Sequence, residues 1–373
     1  MRACLAGVLF FACFSVGAAT GQAPATTQAP AKPDTTETWP DAAALAERRL
    51  IAEQRPLFRS AEPLAFTLVA DFKAVQRDRA PESTRTYPAT LRVARPDGSE
   101  ASIAMRIRTR GHSRRRPSTC TFAPLRIEFA GDVTGTVFEG QRALKLGTHC
   151  RDVDEYEQYV RREYAAYRIF NLLTPRSFRA RLATASYVDA ASNKPVTTRA
   201  GLFIEDDDDV ARRLDGRIAE QEKVLFHHVD SETITLLTLF EYMIGNTDVS
   251  MFGLHNIVLV GTPSNAIYPV PYDFDYSGLV NTRYAIPDKQ FGIATVRQRL
   301  YRGPCRTADQ FEVFLARMRA ARAEVMAVYD AVPGLDPRHA RDARAYLDEF
   351  YRTIDRPRDV KRAFIDGCDR AGM

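Results

Sequence analysis

The chain has 373 residues, of which 45% are hydrophobic and 27% are charged, a composition typical of globular proteins. Its length is large enough for more than one compact unit. The formal net charge of +5 at pH 7 is small and spread out, which argues against nucleic acid as a partner, since such proteins concentrate basic residues on one face.

The N-terminal residues predict an export signal. An arginine at position 2 precedes an apolar run over residues 5–16 and a few small residues, the pattern of a secretory signal peptide over residues 1–19. We therefore expect an exported protein, either periplasmic or secreted. A lipoprotein anchor at Cys13 is the less favoured alternative, because Phe10 and Phe11 fit poorly before it. No later segment approaches the ~18 apolar residues of a membrane span, so we expect no transmembrane segment.

The segment after the signal is predicted to be a disordered linker. Residues 20–40 are rich in Pro, Ala and Thr and have few large apolar side chains, so they cannot bury a core. Residues 41–150 are expected to form an N-terminal helix and a β-rich N-lobe. Residues 151–373 are expected to add a long helix, a hinge region and a helical C-lobe with catalytic and metal loops. This order of elements predicts an α+β protein with two lobes and a cleft.

Side-chain periodicity supports both halves of this interpretation. Between Met105 and Arg110, arginine occupies every second position and the intervening residues are Met, Ile and Thr. That period of two is typical of a strand with one buried face. Over residues 231–244 the apolar side chains recur three or four positions apart, which predicts a helix.

Four cysteines remain once the signal is removed, namely Cys120, Cys150, Cys305 and Cys368. An even number in an exported chain predicts disulfides, although three pairings are open. Proximity in the sequence favours Cys120 with Cys150 and Cys305 with Cys368.

The most informative stretch runs over residues 241–278, where an apolar helix, a carboxylate turn and two short strands follow one another. Phosphoryl transfer uses an Asp that accepts the hydroxyl proton, together with an Asn and a second Asp that hold divalent ions. Asp248, Asn256 and Asp273 have these residue types in this order. Asn256 follows Asp248 by eight positions rather than the five of common kinase loops, so a three-residue insertion is required. Asp275 lies on the same face of an extended segment as Asp273 and is a further metal candidate.

These motifs resemble the spore-coat CotH family of atypical protein kinases and, more distantly, HipA-type kinases. The matching pieces are Arg110-Gly111-His112-Ser113, Leu125-Arg126-Ile127-Glu128-Phe129, Gly201-Leu202-Phe203-Ile204-Glu205, Asn246-Thr247-Asp248, Asn256-Ile257-Val258-Leu259 and Pro271-Tyr272-Asp273-Phe274-Asp275. The resemblance implies a two-lobed, protein-kinase-like fold. It also implies ATP-dependent phosphorylation of a protein or small-molecule hydroxyl with Mg²⁺ or Mn²⁺.

The resemblance further implies a role for each matching residue. Asp248 would be the catalytic Asp, Asn256 the metal ligand of the catalytic loop, and Asp273 the principal metal Asp. Asp275 would share the metal with Asp273 or replace it. Glu205 would stand at the start of the hinge that holds adenine, although residues 205–209 also read as a solvated acidic turn or a Ca²⁺ or Mg²⁺ site.

Phosphate binding requires cations, and two are candidates. Lys145 is the only lysine between positions 73 and 194 and lies in a strand-like segment. Its predicted partner is Glu163 on the long helix, with Glu157 as the alternative. Arg110 belongs to an arginine-rich loop around Gly111 that could meet phosphates, since Arg binds them in a bidentate manner. The chain has no glycine-rich phosphate-binding motif, so these cations would have to hold the phosphates.

Two other functions stay open at this point. Free ATP is scarce outside the cytoplasm, which leaves the phosphate donor unexplained and favours a secreted, pseudokinase-type binding module without catalysis. A metal-dependent hydrolase that uses Asp248, Asp273 and Asp275 is a third hypothesis. In each case we expect a monomer, and the partner or acceptor stays unidentified.

Overall fold

The computed structural model describes residues 38–368. The predicted signal peptide, the Cys13 anchor and most of the predicted linker therefore lie outside the described residues. Within this range the helices are α1 (Ala42–Glu53), α2 (Phe72–Arg77), α3 (Asp154–Leu173), α4 (Asp207–Arg213), α5 (Ser231–Ile244), α6 (Ala308–Ala320), α7 (Arg322–Ala327), α8 (Pro337–Ile354) and α9 (Pro357–Val360). The strands are β1 (Leu64–Ala70), β2 (Tyr87–Ala94), β3 (Glu100–Thr109), β4 (Leu125–Phe129), β5 (Ala143–Gly147), β6 (Ala180–Asp189), β7 (Pro195–Ile204), β8 (Arg217–Ile218), β9 (Ile257–Gly261) and β10 (Ile267–Pro271).

Seven strands close into a barrel in the order β1-β2-β3-β4-β5-β7-β6. Neighbouring strands are antiparallel except β1 and β6, which run parallel with Leu64 opposite Ala183. Every second side chain of β3 points into the barrel, where Ile103, Met105 and Ile107 are buried. The period of two predicted for this strand is confirmed, and its arginines lie on the outer face.

The two-lobed, protein-kinase-like fold predicted from the sequence is wrong, because the sheet is a closed barrel. Strands β6 and β7 follow the long helix α3 in the chain, yet they pair with β1 and β5 and complete the barrel. Alternating side chains predict that a strand exists and which face it buries. They do not predict its neighbour in the sheet, which depends on contacts between distant segments. The pairing across α3 was therefore missed.

Helix α3 packs between the barrel and the C-terminal helices. Leu182 and Leu202 on the outer face of β6 and β7 belong to the same buried core as Phe170 of α3 and Phe240 of α5. The rings of Phe170 and Phe240 stack with centroids 4.4 Å apart. Burying a Phe or Leu side chain contributes ~1.5–3 kcal/mol, so this shared core fixes α5 relative to the barrel. Helix α5 has the bounds that its apolar periodicity predicted.

Two disulfides join Cys120 to Cys150 and Cys305 to Cys368. The pairing favoured by sequence proximity is confirmed. Across residues 38–368, none of the helices combines the length and apolar character needed to cross a bilayer.

Candidate functional site

Two short strands deliver Asn256 and Asp273 to the same place. Strands β9 and β10 are antiparallel neighbours, with Ile257 opposite Pro271. Asn256 comes directly before β9 and Asp273 follows β10 by two residues, so both lie at one end of the hairpin. The main-chain N–H of Tyr272 donates to the Asn256 carbonyl oxygen at 3.0 Å, which fixes the two segments side by side.

Both residues adopt the left-handed backbone conformation, with φ of +58° at Asn256 and +67° at Asp273. Few residues other than glycine adopt it, although Asn and Asp do so more readily than most. Strain of this kind often concentrates at functional sites. Between Asp273 and Asp275, Phe274 is fully buried and packs on the ring of Tyr167 at 4.7 Å. It anchors the two carboxylates that flank it.

A turn after α5 positions Asp248. The helix ends at Gly245, whose φ of +66° ends the helix in the left-handed conformation that glycine adopts without a steric penalty. The Asp248 N–H then donates to Asn246 Oδ1 at 3.0 Å. Asn256 Nδ2 donates to the Asp248 carbonyl oxygen at 2.7 Å and to its Oδ2 at 3.2 Å, and His255 Nε2 lies 3.4 Å from Asp248 Oδ1. Asp248 and Asn256 are therefore held together. Within residues 38–368 the Asn256 Oδ1 accepts no hydrogen bond, so it is left for a ligand.

A cavity of about 330 Å³ brings these residues together. Three segments form its wall: residues 110–114, part of residues 248–256 and part of residues 272–276. A second cavity of about 200 Å³ adjoins it, because Asp248, His255 and Tyr276 line both. Asp248 therefore lies between two concave sites.

Arg114 lies in the wall of the larger cavity and contacts three carboxyl groups. Its Nη2 donates to Asp273 Oδ1 at 2.6 Å, its Nε lies 3.2 Å from Asp275 Oδ2, and its Nη1 lies 4.0 Å from Glu163 Oε2. The Tyr284 hydroxyl also donates to Asp275 Oδ2, at 2.9 Å. One buried guanidinium is thus shared by two aspartates and a glutamate.

Burial and charge move the pKa values of these carboxyl groups in different directions. Burial raises the pKa of Glu163 to about 8 and that of Asp275 to about 6, although Arg114 opposes both shifts. Burial also acts to raise the pKa of Asp273, but Arg114 and Arg110 outweigh it and the pKa is lowered. Asp273 is therefore ionised at neutral pH, whereas the carboxyl groups of Glu163 and Asp275 hold their protons more tightly than exposed acids do.

Lys145 has a different partner from the one predicted. Its ammonium group forms an ion pair with Asp207 of α4, whereas Glu163 lies beside Arg114. The predicted Lys145–Glu163 pair is wrong, because Arg114 approaches Glu163 from a distant loop. Burial lowers the pKa of Lys145, and Asp207 opposes that shift. The ammonium also lies 4.6 Å from the ring centroid of Tyr272, which places it next to the larger cavity.

Arg110 and Arg126 lie close to Lys145. Arg126 faces Lys145 across strands β4 and β5, and the charges of Arg110 and Arg126 both act to lower the pKa of Lys145. The Arg110 Nη1 is buried and has no hydrogen-bond partner in the part of the chain that the structure describes. An unpaired buried donor is costly, so a bound anion would stabilise it.

Glu205 lies away from both cavities. It is 0% exposed, and its two oxygens contact Arg179 and Arg213 at 2.6–2.8 Å. The neighbouring carboxylates of residues 206–209 likewise contact arginines, a lysine or main-chain N–H groups. The structure thus shows an internally paired acidic segment, and the adenine-binding role of Glu205 stays a prediction.

The sequence did not predict where two residues near the site, Arg114 and Glu241, would lie. Arg114 was one of several arginines in its loop, and nothing in that run indicates which one enters the site. Glu241 is buried in α5, behind the Asp248 turn, and its two side-chain oxygens have no hydrogen bond of normal geometry within residues 38–368. Burial raises the pKa of Glu241 to about 8. The sequence signal that could have indicated Glu241 is a single acidic residue among the apolar residues of a helix.

The donor atoms at the larger cavity suit one divalent ion that arrives with phosphate. Among the described residues, no three His, Cys, Asp or Glu side chains are arranged to hold a metal alone. Mg²⁺ in phosphate sites takes one or two protein oxygens and completes its shell with phosphate oxygens and water. Asp273 Oδ2 and Asn256 Oδ1, which the contacts above leave open, meet this requirement. Asp275 suits it less well, because Arg114 and Tyr284 contact its Oδ2.

The similarity of this chain to known proteins is weak. No protein-family model matches it, and no curated protein matches it either. Among solved structures it is similar to the Helicobacter pylori proinflammatory kinase CtkA, with a TM-score of 0.32 and 11% sequence identity, over 65% of this chain and 88% of that chain. That neighbour is a kinase, but a likeness this weak assigns neither a fold nor an activity. Membership of the CotH family stays a prediction.

Proposed function

We propose that this protein is an exported, metal-dependent phosphotransferase of the CotH-like type, which transfers the terminal phosphoryl group of ATP to a hydroxyl group of a protein or small molecule. The observation that carries the proposal is the convergence of Asp248, Asn256 and Asp273 on one cavity that Arg110 also lines. Phosphoryl transfer needs a carboxylate for the hydroxyl proton, oxygen ligands for a divalent ion and cations for the phosphates. All three kinds of group meet at this cavity.

The cations beside the cavity support phosphate as the ligand. Arg110 and Arg126 lie close enough to Lys145 to lower its pKa. Lys145 pairs with Asp207 and Arg126 lies 3.6 Å from Asp206, whereas the buried Arg110 Nη1 has no hydrogen-bond partner within residues 38–368. Like charges held near one another in a buried setting are unfavourable unless an anion joins them. A polyphosphate along this face would supply that anion.

Asp273 and Asn256 would hold Mg²⁺ or Mn²⁺ beside the phosphates. The ion would neutralise charge on the phosphate oxygens. Because its pKa is lowered, Asp273 is ionised and ready to bind a cation at neutral pH. Asn256 is oriented for the same task by its two hydrogen bonds to Asp248.

Asp248 is placed to act on the acceptor. Its carboxylate lies between the two cavities, so an acceptor hydroxyl in the smaller one would face a phosphate in the larger one. In the reaction, the acceptor oxygen forms a bond to the terminal phosphorus while the bond from phosphorus to the bridging oxygen breaks. The hydroxyl proton passes to Asp248, and ADP leaves with the electron pair of the broken bond.

Export rests on separate observations. Two disulfides are present, and disulfides persist mainly in oxidising compartments. They are compatible with the export signal predicted over residues 1–19.

One observation favours the alternative of a binding module without catalysis. Arg114 contacts both Asp273 and Asp275, so an internal cation already neutralises the carboxylates that a metal would use. In that case the larger cavity would bind an anionic ligand through Arg110 and Lys145 without transfer.

Substitution of Asp248 separates the two functions. In the purified mature protein with ATP and Mn²⁺, we predict that Asp248→Asn lowers the rate of ADP release by ~10²–10⁴-fold, the usual contribution of a positioned base. The affinity for ATP should be unchanged, because Asp248 is not among the proposed ligands and the Asn side chain keeps an oxygen that can accept the hydrogen bond from Asn256. Asp309→Asn, an exposed residue in the first turn of α6, is the matched control.

The alternative predicts a different result. If the wild-type protein bound ATP but released no ADP in the presence of any acceptor hydroxyl or water, the binding module would be favoured. If the wild-type protein bound no ATP with either Mg²⁺ or Mn²⁺, the phosphotransferase proposal would be wrong.

A further inference from the structure

The guanidinium of Arg114 occupies the position between the two acidic residues that follow β10. Its Nη2 lies 2.6 Å from Asp273 and its Nε lies 3.2 Å from Asp275, with Glu163 at 4.0 Å on a third side. The Arg114 side chain is only 6% exposed. It is therefore part of the site and not a mobile surface residue.

Many phosphoryl-transfer sites place a second divalent ion in such a position. In two-metal sites the ions lie ~3.5–4 Å apart, so both ions need oxygen ligands from neighbouring side chains. Here the two carboxylates that could hold a second ion are Asp273 and Asp275. Arg114 already contacts one oxygen of each. A second ion would have to displace a buried guanidinium from two short contacts.

The chemistry of arginine makes that displacement unfavourable. A guanidinium stays protonated at any pH that proteins experience, so Arg114 cannot leave the cluster as a neutral group. Removing one member of a buried ion pair while the other stays buried is strongly unfavourable. The fixed positive charge of Arg114 thus persists whether or not a ligand is bound.

We propose that Arg114 takes the place of a second divalent cation, so that the site binds a single metal ion, held by Asp273 and Asn256, together with the nucleotide. This inference rests on the proposed function, because it concerns the same nucleotide site. It assigns Arg114 as a positioning residue, which orients Asp273 and neutralises Asp275. It also excludes Asp275 from the ligands of the ion.

Counting bound Mn²⁺ tests the inference without any measurement of activity. The mature protein is titrated with Mn²⁺ in the presence of a saturating, non-hydrolysable ATP analogue, and free Mn²⁺ is measured by electron paramagnetic resonance. We expect a single bound Mn²⁺ in the wild-type protein. Arg114→Lys, which keeps one positive charge, should also bind a single ion, whereas Arg114→Ala should bind a second one.

The wild-type count decides the inference even if Arg114→Ala does not fold. Asp275→Asn should still bind a single ion, because Asp275 contacts Arg114 and is not a ligand of the metal ion. Two ions in the wild-type protein, or loss of the ion in Asp275→Asn, would overturn the inference and leave the proposed function standing. A single ion in a folded Arg114→Ala protein would also overturn it.

Arg116 provides a control for the loss of a positive charge from this loop. Arg116→Gln changes an exposed arginine of the same loop and should bind a single ion like the wild-type protein. No bound ion in the wild-type protein, with the analogue present, would contradict the proposed function itself and the inference with it.

Discussion

The segments at residues 205–209 and 273–275 are both acidic and both lie beside a buried cation, yet their contacts differ. In the first segment the two Glu205 oxygens contact arginines, Asp207 pairs with Lys145, and Asp209 pairs with Arg55 and Arg212. In the second segment Arg114 contacts one oxygen of each aspartate. The Asp273 side chain is 18% exposed and faces a cavity.

This difference separates a carboxylate whose oxygens are occupied by internal partners from one that keeps an oxygen open to a ligand. A carboxylate with all its acceptor positions in contact with internal donors contributes to stability and has no capacity for a ligand. A carboxylate with an open oxygen at a cavity has that capacity, and here it also lies on a strained backbone.

Glu205→Ala should cause the largest loss of stability. It leaves Arg179 and Arg213 without their shared carboxylate, and breaking a buried ion pair typically costs ~3–5 kcal/mol. Urea denaturation of the mature protein would measure the change. Asp208→Asn is the control, because the Asp208 side chain is 60% exposed and should change the free energy of unfolding by less than ~0.5 kcal/mol. Normal stability of Glu205→Ala with lost ATP binding would contradict the comparison and support the adenine role.

Glu241→Gln should stabilise the protein, and the gain in stability should depend on pH. Burial without a paired cation raises the pKa of Glu241 from 4.5 to about 8, so the folded state binds its proton more tightly than the unfolded state. The stability that this group contributes is complete below about pH 4.5 and is lost as the pH rises through 8. Relative to the wild type, the variant should therefore gain stability between these pH values, by at most ~1.4 kcal/mol per pH unit.

Unfolding curves at pH 5 and pH 8.5 would measure this change. Glu232→Gln, an exposed acid at the start of the same helix, should show no such gain. If Glu241→Gln were equally destabilised at both pH values, Glu241 would belong with the internally paired acids.

Asp207→Asn should have a small effect on ligand binding. The substitution removes the carboxylate that pairs with Lys145, whose ammonium lies beside the larger cavity. If Lys145 contacts phosphate, ATP should bind ~2–5-fold more tightly, the range expected for a partly exposed pair worth up to ~1 kcal/mol. Calorimetric titration of ATP with Mn²⁺ would detect it, with Asp208→Asn as the control. Weaker binding would contradict a phosphate role for Lys145.

Much of the local structure could be predicted from the sequence. Helix α5 and strand β3 follow from side-chain periodicity, and the disulfides follow from proximity. Asp248, Asn256 and Asp273 are brought together because one helix and one hairpin connect them within a short stretch of chain. Local connections of this kind leave few arrangements open.

Contacts between distant segments could not be predicted. The closure of the barrel depends on β6 and β7 returning across α3. The partners of Lys145 and Glu163 depend on α4 and on the loop that carries Arg114. Oppositely charged residues are numerous in this chain, so residue type alone cannot identify the pairs.

The central claim is that Asp273 belongs to a metal-nucleotide site whereas Glu205, whose two oxygens both contact arginines, is structural. The most direct test is the melting temperature of the mature protein with and without ATP and Mn²⁺, for the wild type, Asp273→Asn and Asp208→Asn. A ligand at ~100 times its dissociation constant adds ~2.7 kcal/mol, which raises the melting temperature by a few degrees. We predict a metal-dependent rise in the wild type and in Asp208→Asn that is lost in Asp273→Asn. A rise that survives in Asp273→Asn, or no rise in the wild type, would contradict the claim.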